Sequence, residues 1–166
     1  MKAKMFRALL PLAIVFTMVS CSSDSSEASS TDNKLVTTYN YNQTELQLVA
    51  LINDYRASIG LNRLEVINHI SYKSEEHNIY MIENSVVNHD YFQQRSTNLV
   101  QLLGAQRVGE NIAYNYQTAE SAMSAWLNSP SHKANIEGDY THLGISVTVD
   151  ETTGKKYYTN MFMKKK

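Results

Sequence analysis

Six side chains in this sequence have types suited to joint chemistry: His69, His77, His89, His132, His142 and Glu110. Imidazole and carboxylate together can hold a divalent metal ion or exchange protons near neutral pH. A histidine taken alone is more often a hydrogen-bonded core group than a ligand, so the setting of each one matters. His89 follows a helical stretch, in Asn88-His89-Asp90. Glu110 stands in Gly109-Glu110-Asn111-Ile112-Ala113, where the glycine permits a sharp backbone entry. His132 falls on the first turn of a short helix after Ser129-Pro130, and His142 opens a terminal strand on its polar face. Element ends are where sites are usually built. His77 lies instead on a helix face, which points to a buried structural role. The single cysteine, Cys21, can make neither an internal disulfide nor a Cys-rich zinc site.

Cys21 has a different chemistry. Lys2, Lys4 and Arg7 are the only charges in residues 1–20, an uncharged apolar run covers residues 8–19, and Met18-Val19-Ser20-Cys21 closes the segment. The run is shorter than the ~20 residues a membrane-spanning helix needs. Its pattern is that of a secretory signal peptide. A small residue directly before the cysteine resembles a bacterial lipobox, which implies a lipid on Cys21 as the first residue of the mature chain. A free exposed thiol outside the cell would be a liability. Residues 21–37 are rich in Ser, Thr, Asp and Glu and read as a flexible tether. The leader removes three basic residues and no acid, so the net charge of −1 becomes −4. That balance argues against nucleic acid as a partner. The expected location is the cell envelope outside the cytoplasm, lipid-anchored at the outer membrane or cell surface.

The elements that must position the histidines lie in residues 38–166. A chain of 166 residues, 43% hydrophobic and 19% charged, suits one folded domain. Residues 44–58 predict a helix, with Thr44 and Gln47 as a capping box and Leu48, Leu51, Ile52 and Tyr55 as its apolar stripe. A second helix is predicted over residues 68–84, and a short one over residues 97–103, closed by Gly104. A fourth spans residues 119–128 with Thr118 as cap, and Ser129-Pro130 starts a fifth that runs through Ile136. From His142 to Val149 the period changes to two, then a turn and a Tyr- and Thr-rich strand complete a hairpin. Residues 107–114 predict a further strand. Helices first and a terminal hairpin suggest an α+β layered domain.

Five blocks in order resemble the bacterial branch of the CAP superfamily, the cysteine-rich secretory, antigen 5 and pathogenesis-related 1 proteins. They are Leu51-Ile52-Asn53-Asp54-Tyr55-Arg56; His77 through His89; Gly109-Glu110-Asn111-Ile112-Ala113; Trp126-Leu127-Asn128-Ser129-Pro130-Ser131-His132-Lys133-Ala134-Asn135-Ile136; and Thr141-His142-Leu143-Gly144-Ile145. Tyr158-Thr159-Asn160-Met161-Phe162 fits the family's final strand. The resemblance implies a three-layer α-β-α sandwich with a C-terminal β-hairpin. It also implies a cleft of two histidines and two glutamates, with His89 and His142 as the histidine pair and Glu110 as the first glutamate. The second glutamate falls near Asn128-Ser129, where no acid stands, so His132 is expected to complete the cleft. The eukaryotic members' disulfides are absent as well.

Three readings stay open at this stage. The first is a non-catalytic binding module whose cleft takes up a divalent cation such as zinc on His89 and His142, with a lipid or other envelope ligand, as the resemblance implies. The second is a metal-assisted hydrolase with water in the open position. It lacks a His-Glu-x-x-His helix, and Ser129 or Ser131 beside His132 is poorly placed as a nucleophile. The third is a surface adhesion or host-contact protein in which the polar cluster only pins the hairpin to the helices. Oligomeric state is not legible.

Overall fold

The computed structural model describes residues 34–165; the signal peptide, Cys21 and most of the expected tether lie outside the described residues. Nine elements follow in order: α1 (Gln43–Ser58), β1 (Glu65–Val66), α2 (Asn68–Glu83), α3 (Phe92–Leu103), β2 (Arg107–Tyr114), α4 (Ala119–Asn128), α5 (Pro130–Ile136), β3 (His142–Val149) and β4 (Lys156–Lys164). The four strands form one sheet in the order β1-β3-β4-β2. β1 runs parallel to β3, whereas β3 with β4 and β4 with β2 are antiparallel.

Helices cover both faces, giving the α-β-α layering expected from the sequence. On one face Leu48 and Ile52 of α1, Ala122 and Trp126 of α4 and Ile136 of α5 pack on Leu143, Ile145, Tyr158 and Phe162. On the other, Ile70 of α2 and Leu99 of α3 pack on Met161 and Met163. The alternation of β3 therefore does not separate core from solvent. Its polar side lies under α2, where Asn78 Nδ2 donates to the Ser146 carbonyl at 3.0 Å and Thr159 Oγ1 donates to Asn78 Oδ1 at 2.7 Å. Gly144 makes this approach possible, because a Cβ there would overlap the backbone of Ile70 and Ser71.

Three boundaries differ from expectation. The box that starts α1 is Asn42 with Glu45, not Thr44 with Gln47. Asn42 Oδ1 accepts the Glu45 N–H at 3.0 Å, and Glu45 Oε2 accepts the Asn42 N–H at 2.8 Å. α3 begins at Phe92, five residues before the expected start, because Tyr91 caps it from the left-handed region (φ 59°) with no side-chain cap bond. Val36 and Thr37, expected in the tether, are tied to α2: the Val36 N–H donates to His69 Nδ1 at 3.1 Å and Asn68 Nδ2 to the Thr37 carbonyl at 2.7 Å.

The α1 cap also finishes a sheet edge. β1 ends at Val66, leaving the outer side of β3 open beyond Leu143. There Ser71 Oγ accepts the Ile145 N–H at 3.0 Å, Glu45 Oε1 accepts the Val147 N–H at 2.8 Å and Asn42 Nδ2 donates to the Val147 carbonyl at 3.1 Å. Burial raises the Glu45 carboxyl above its ordinary range, so three accepted hydrogen bonds must hold the ion, the third from Tyr39 Oη at 3.1 Å. Glu45→Gln offers one acceptor oxygen where two are used, leaving a buried N–H unmatched. Denaturant unfolding should show a loss of about 1–3 kcal/mol. Gly144→Ala should be at least as costly, because it meets backbone rather than a movable side chain; overpacking of this kind costs about 1–3 kcal/mol.

Candidate functional site

The site is built around Glu110, which β2 carries on the side facing α2 and α3. It is 6% exposed, so its charge must be matched inside the protein. Arg95, on the first turns of α3 and itself buried, supplies the match in a fork. Its Nε lies 2.9 Å from Oε2, and its Nη2 lies 2.9 Å from Oε1 and 2.7 Å from Oε2. Bidentate geometry of this kind fixes orientation as well as charge. Arg95 Nη1 also donates to the Asp90 carbonyl at 2.7 Å, which ties down the loop before α3.

That loop presents His89. Its Nδ1 lies 2.8 Å from Glu110 Oε1. A carboxylate only accepts, so Nδ1 carries the hydrogen and Nε2 is left facing outward. The ring is half exposed and borders an open concavity of about 270 Å³ lined by Phe92, Val108, Gly109, Glu110 and Asn135. The adjoining Tyr91 holds φ 59°, a strained backbone for an aromatic residue, and this strain sits beside the site.

His77 approaches the same carboxylate from α2 at 4.0 Å. Its Nε2 donates to the Asn88 carbonyl at 2.8 Å, and its buried Nδ1 has no partner among the described residues. Burial, then the charge of Arg95, hold its pKa below the ordinary value, outweighing the pull of Glu110. It is a neutral structural ring. His132 lies near His89. Burial lowers its pKa, and the charge of His89 lowers it further. Its carbonyl accepts from Asn111 Nδ2 at 2.9 Å, and Asn135 Nδ2 bridges Asn111 Oδ1 (2.9 Å) and the Glu110 carbonyl (3.0 Å). Asn111 and Asn135 thus hold α5, and with it His132, against β2.

His142 does not join this group. Its Nδ1 lies 2.7 Å from Thr141 Oγ1, and its Nε2 lies 3.5 Å from Glu65 on β1. β4 stands between β3 and β2. Two strand spacings of about 4.8 Å therefore separate its backbone from that of Glu110, and its ring points toward the opposite edge. The expected pairing of His89 with His142, as cleft or as metal ligands, is corrected on that ground. The donor set around Glu110 also fits a cation poorly, because the Arg95 fork and His89 already occupy both oxygens. Among the described residues no group of three or more His, Cys, Asp or Glu side chains is arranged to hold a metal ion. The residue missed in the sequence is Arg95. It stands four positions before the buried Leu99, on the same helix face, a signal that becomes visible once α3 is known to start at Phe92.

The family model of the cysteine-rich secretory protein family, CAP, matches residues 49–162. The uncharacterized membrane protein YlbC of Bacillus subtilis (strain 168) is 36% identical over 126 residues, which are 74% of this chain and 35% of that protein. The chain thus spans about a third of the length of that curated relative. Among solved structures, an outer surface protein from Borrelia burgdorferi matches with a TM-score of 0.68 at 23% identity, over 79% of this chain and all of that one. An extracellular protein containing an SCP domain from Bacillus anthracis str. Ames matches with a TM-score of 0.65 at 25% identity, over 77% of this chain and 45% of that one.

Two outcomes follow from the Arg95–Glu110 pair and from His77. Arg95→Met leaves the Glu110 carboxylate buried without its cation and should cost roughly 3 kcal/mol or more in denaturant unfolding. Adding Glu110→Gln to it should recover part of that loss in a double-mutant cycle. A depressed histidine pKa contributes stability above its ordinary value near 6.5, and that stability is lost as pH falls through the depressed folded value. The thermal midpoint of the wild type should fall between about pH 7 and pH 5, and His77→Gln should flatten that fall. Comparing the two chains cancels the opposite-signed terms of Glu45 and Glu75, whose carboxyls are raised by burial.

Proposed function

The chain belongs to the CAP, or cysteine-rich secretory protein, family, and from that premise we propose that it is a non-catalytic binding module held outside the cytoplasm by a lipid on Cys21. The ligand-facing groups are His89 and His132, with Glu110 and Arg95 as the positioning pair behind them. One observation carries this reading. The carboxylate that fixes His89 is itself saturated by Arg95, so it orients the ring and has no oxygen spare for a metal ion or a water molecule. The Ser129 and Ser131 hydroxyls lie 3.4 Å from each other, and neither bonds to a histidine nitrogen among the described residues. His89 is thus a fixed ring with an outward nitrogen, a geometry suited to recognising a polar ligand.

Location outside the cytoplasm is supported by the charged start, apolar run and Cys21 in the sequence. It is also in keeping with relatives named as a membrane protein, an outer surface protein and an extracellular protein. The ligand class in this reading is a lipid or another envelope component with a polar group.

Two experiments test the reading. Metabolic labelling with an alkyne fatty acid in a bacterial host should tag the wild type and leave Cys21→Ala untagged and released from the membrane fraction. Equal labelling of both chains would remove the lipid anchor. Lipid and glycan fractions of a bacterial envelope extract, screened by thermal shift, should include at least one that stabilises the wild type but not His89→Ala. His89→Ala alone should unfold at nearly the wild-type temperature, because its ring is half exposed. A fraction consumed by the wild type and left intact by His89→Ala would instead establish an enzyme.

A further inference from the structure

The two outer edges of the sheet are finished differently, and the difference points to a second ligand. At β3 the Ile145 and Val147 N–H groups are met by Ser71 and Glu45, and the Leu143 and Val147 carbonyls by the Ile67 N–H and Asn42. At β2 two outward carbonyls, those of Glu110 and Ile112, are met by side chains. The Asn115 N–H donates to the Lys156 carbonyl, so Asn111 and Ala113 in the same phase face β4, and Glu110, Ile112 and Tyr114 turn their backbone groups outward. Asn135 Nδ2 occupies the Glu110 carbonyl at 3.0 Å, and Trp126 Nε1 occupies the Ile112 carbonyl at 2.9 Å. The N–H groups of Ile112 and Tyr114 have no partner among the described residues. They border an open groove of about 330 Å³ whose walls include Tyr114, Tyr116, Ala125, Trp126 and His132.

An edge with the Glu110 and Ile112 carbonyls taken and the Ile112 and Tyr114 N–H groups open selects its partner by chemistry. The two amides are two residues apart along a strand, or roughly 6.8 Å. A ligand that presents acceptors at that repeat is an extended polypeptide, whose alternate carbonyls point the same way. An acyl chain carries no acceptors along its length. A second copy of this chain pairing through its own β2 would need free carbonyls on both strands, and side chains hold two of them. We propose that the groove on the outer edge of β2 binds an extended peptide segment. Its carbonyls accept from the Ile112 and Tyr114 N–H groups, and its side chains rest on Tyr114 and Tyr116, beside the buried Trp126. This peptide site extends the binding reading to an adjoining surface that shares His132 with the cleft and uses neither His89 nor Glu110.

Trp126 is the sole tryptophan of the chain and lines the groove, so its emission reports occupancy directly. The full chain, in detergent, is titrated with the capped pentapeptide acetyl-Thr-Val-Thr-Val-Thr-amide, a main-chain probe of strong strand propensity. A saturable change in emission is expected. Ala125→Arg, which fills the groove from α4, should abolish it. Tyr114→Pro removes one outward N–H without removing a bond to β4, a position where an edge strand tolerates proline, and should weaken binding about fivefold or more. His89→Ala should bind the peptide as the wild type does, which separates this groove from the cleft. No saturable change, or binding equally strong in Ala125→Arg and Tyr114→Pro with both variants folded by circular dichroism, would overturn the proposal.

Discussion

A carboxylate sealed under two helices needs a counter-charge, and for Glu110 that charge is Arg95. The pair joins α3 to β2, the two elements that would otherwise meet only through the small cluster around Leu99 and Met161. The rest of the site follows from it. With Glu110 held as an ion, His89 must give it the Nδ1 hydrogen, and the ring turns its other nitrogen out. Buried, and with Arg95 close by, His77 is discouraged from charging and serves as a donor to the Asn88 carbonyl. The second arm of Arg95 holds the Asp90 carbonyl and so fixes the loop that carries His89. A buried ion pair is a poor source of net stability, because desolvation offsets most of the attraction. Its return here is position: the pair fixes the tautomer of His89 through Glu110 and the path of the loop that carries it through Arg95.

The same economy runs through the sheet. Side chains, not strands, complete the edges. Glu45 and Asn42 cap α1 and at the same time take the place of a strand beside Val147. Trp126 and Asn135 do half of that at β2. The α2–sheet interface repeats the pattern with Ser71, Ser74 and Asn78 beside the apolar contact of Ile70, which demands close backbone approach and hence Gly144. A domain without disulfides therefore relies on matched polar pairs in its interior, where a single unmatched partner is expensive.

Local signals in the sequence reach far into the fold. The stripe of α1, the Thr118 cap of α4, Ser129-Pro130 before α5, Gly104 after α3, the period-two run of β3 and the strands expected at β2 and β4 all correspond to what the chain does. These are features decided within a few residues. The failures are equally physical. β1 is two residues long and has no period to detect. α3 starts on a left-handed tyrosine instead of a Ser, Thr, Asp or Asn cap, which hides its first turn and Arg95 with it. His142 and His89 both stand at element ends, and nothing local to either tells them apart. Strand order decides their separation, and the order β1-β3-β4-β2 comes from long-range packing, for which a single sequence carries no spacing.

His89 and His132, which lie near each other, differ in how their protons are set. The Nδ1 hydrogen of His89 is pinned by Glu110, so its Nε2 offers a lone pair when the ring is neutral and an N–H when it is charged. His132 is kept toward its neutral form by burial, and a charge on His89 pushes it further that way. Two adjacent cations are thus disfavoured. Glu110 offsets Arg95 behind it, so the opening carries little net charge from that pair and presents directed polar groups, among them the His89 ring and the amide oxygen of Asn135 near Gly109. Recognition at such a surface depends on matching donors and acceptors one by one. That places selectivity in the rigidity of the Arg95–Glu110 support and explains why so much buried polar structure stands behind so small an opening.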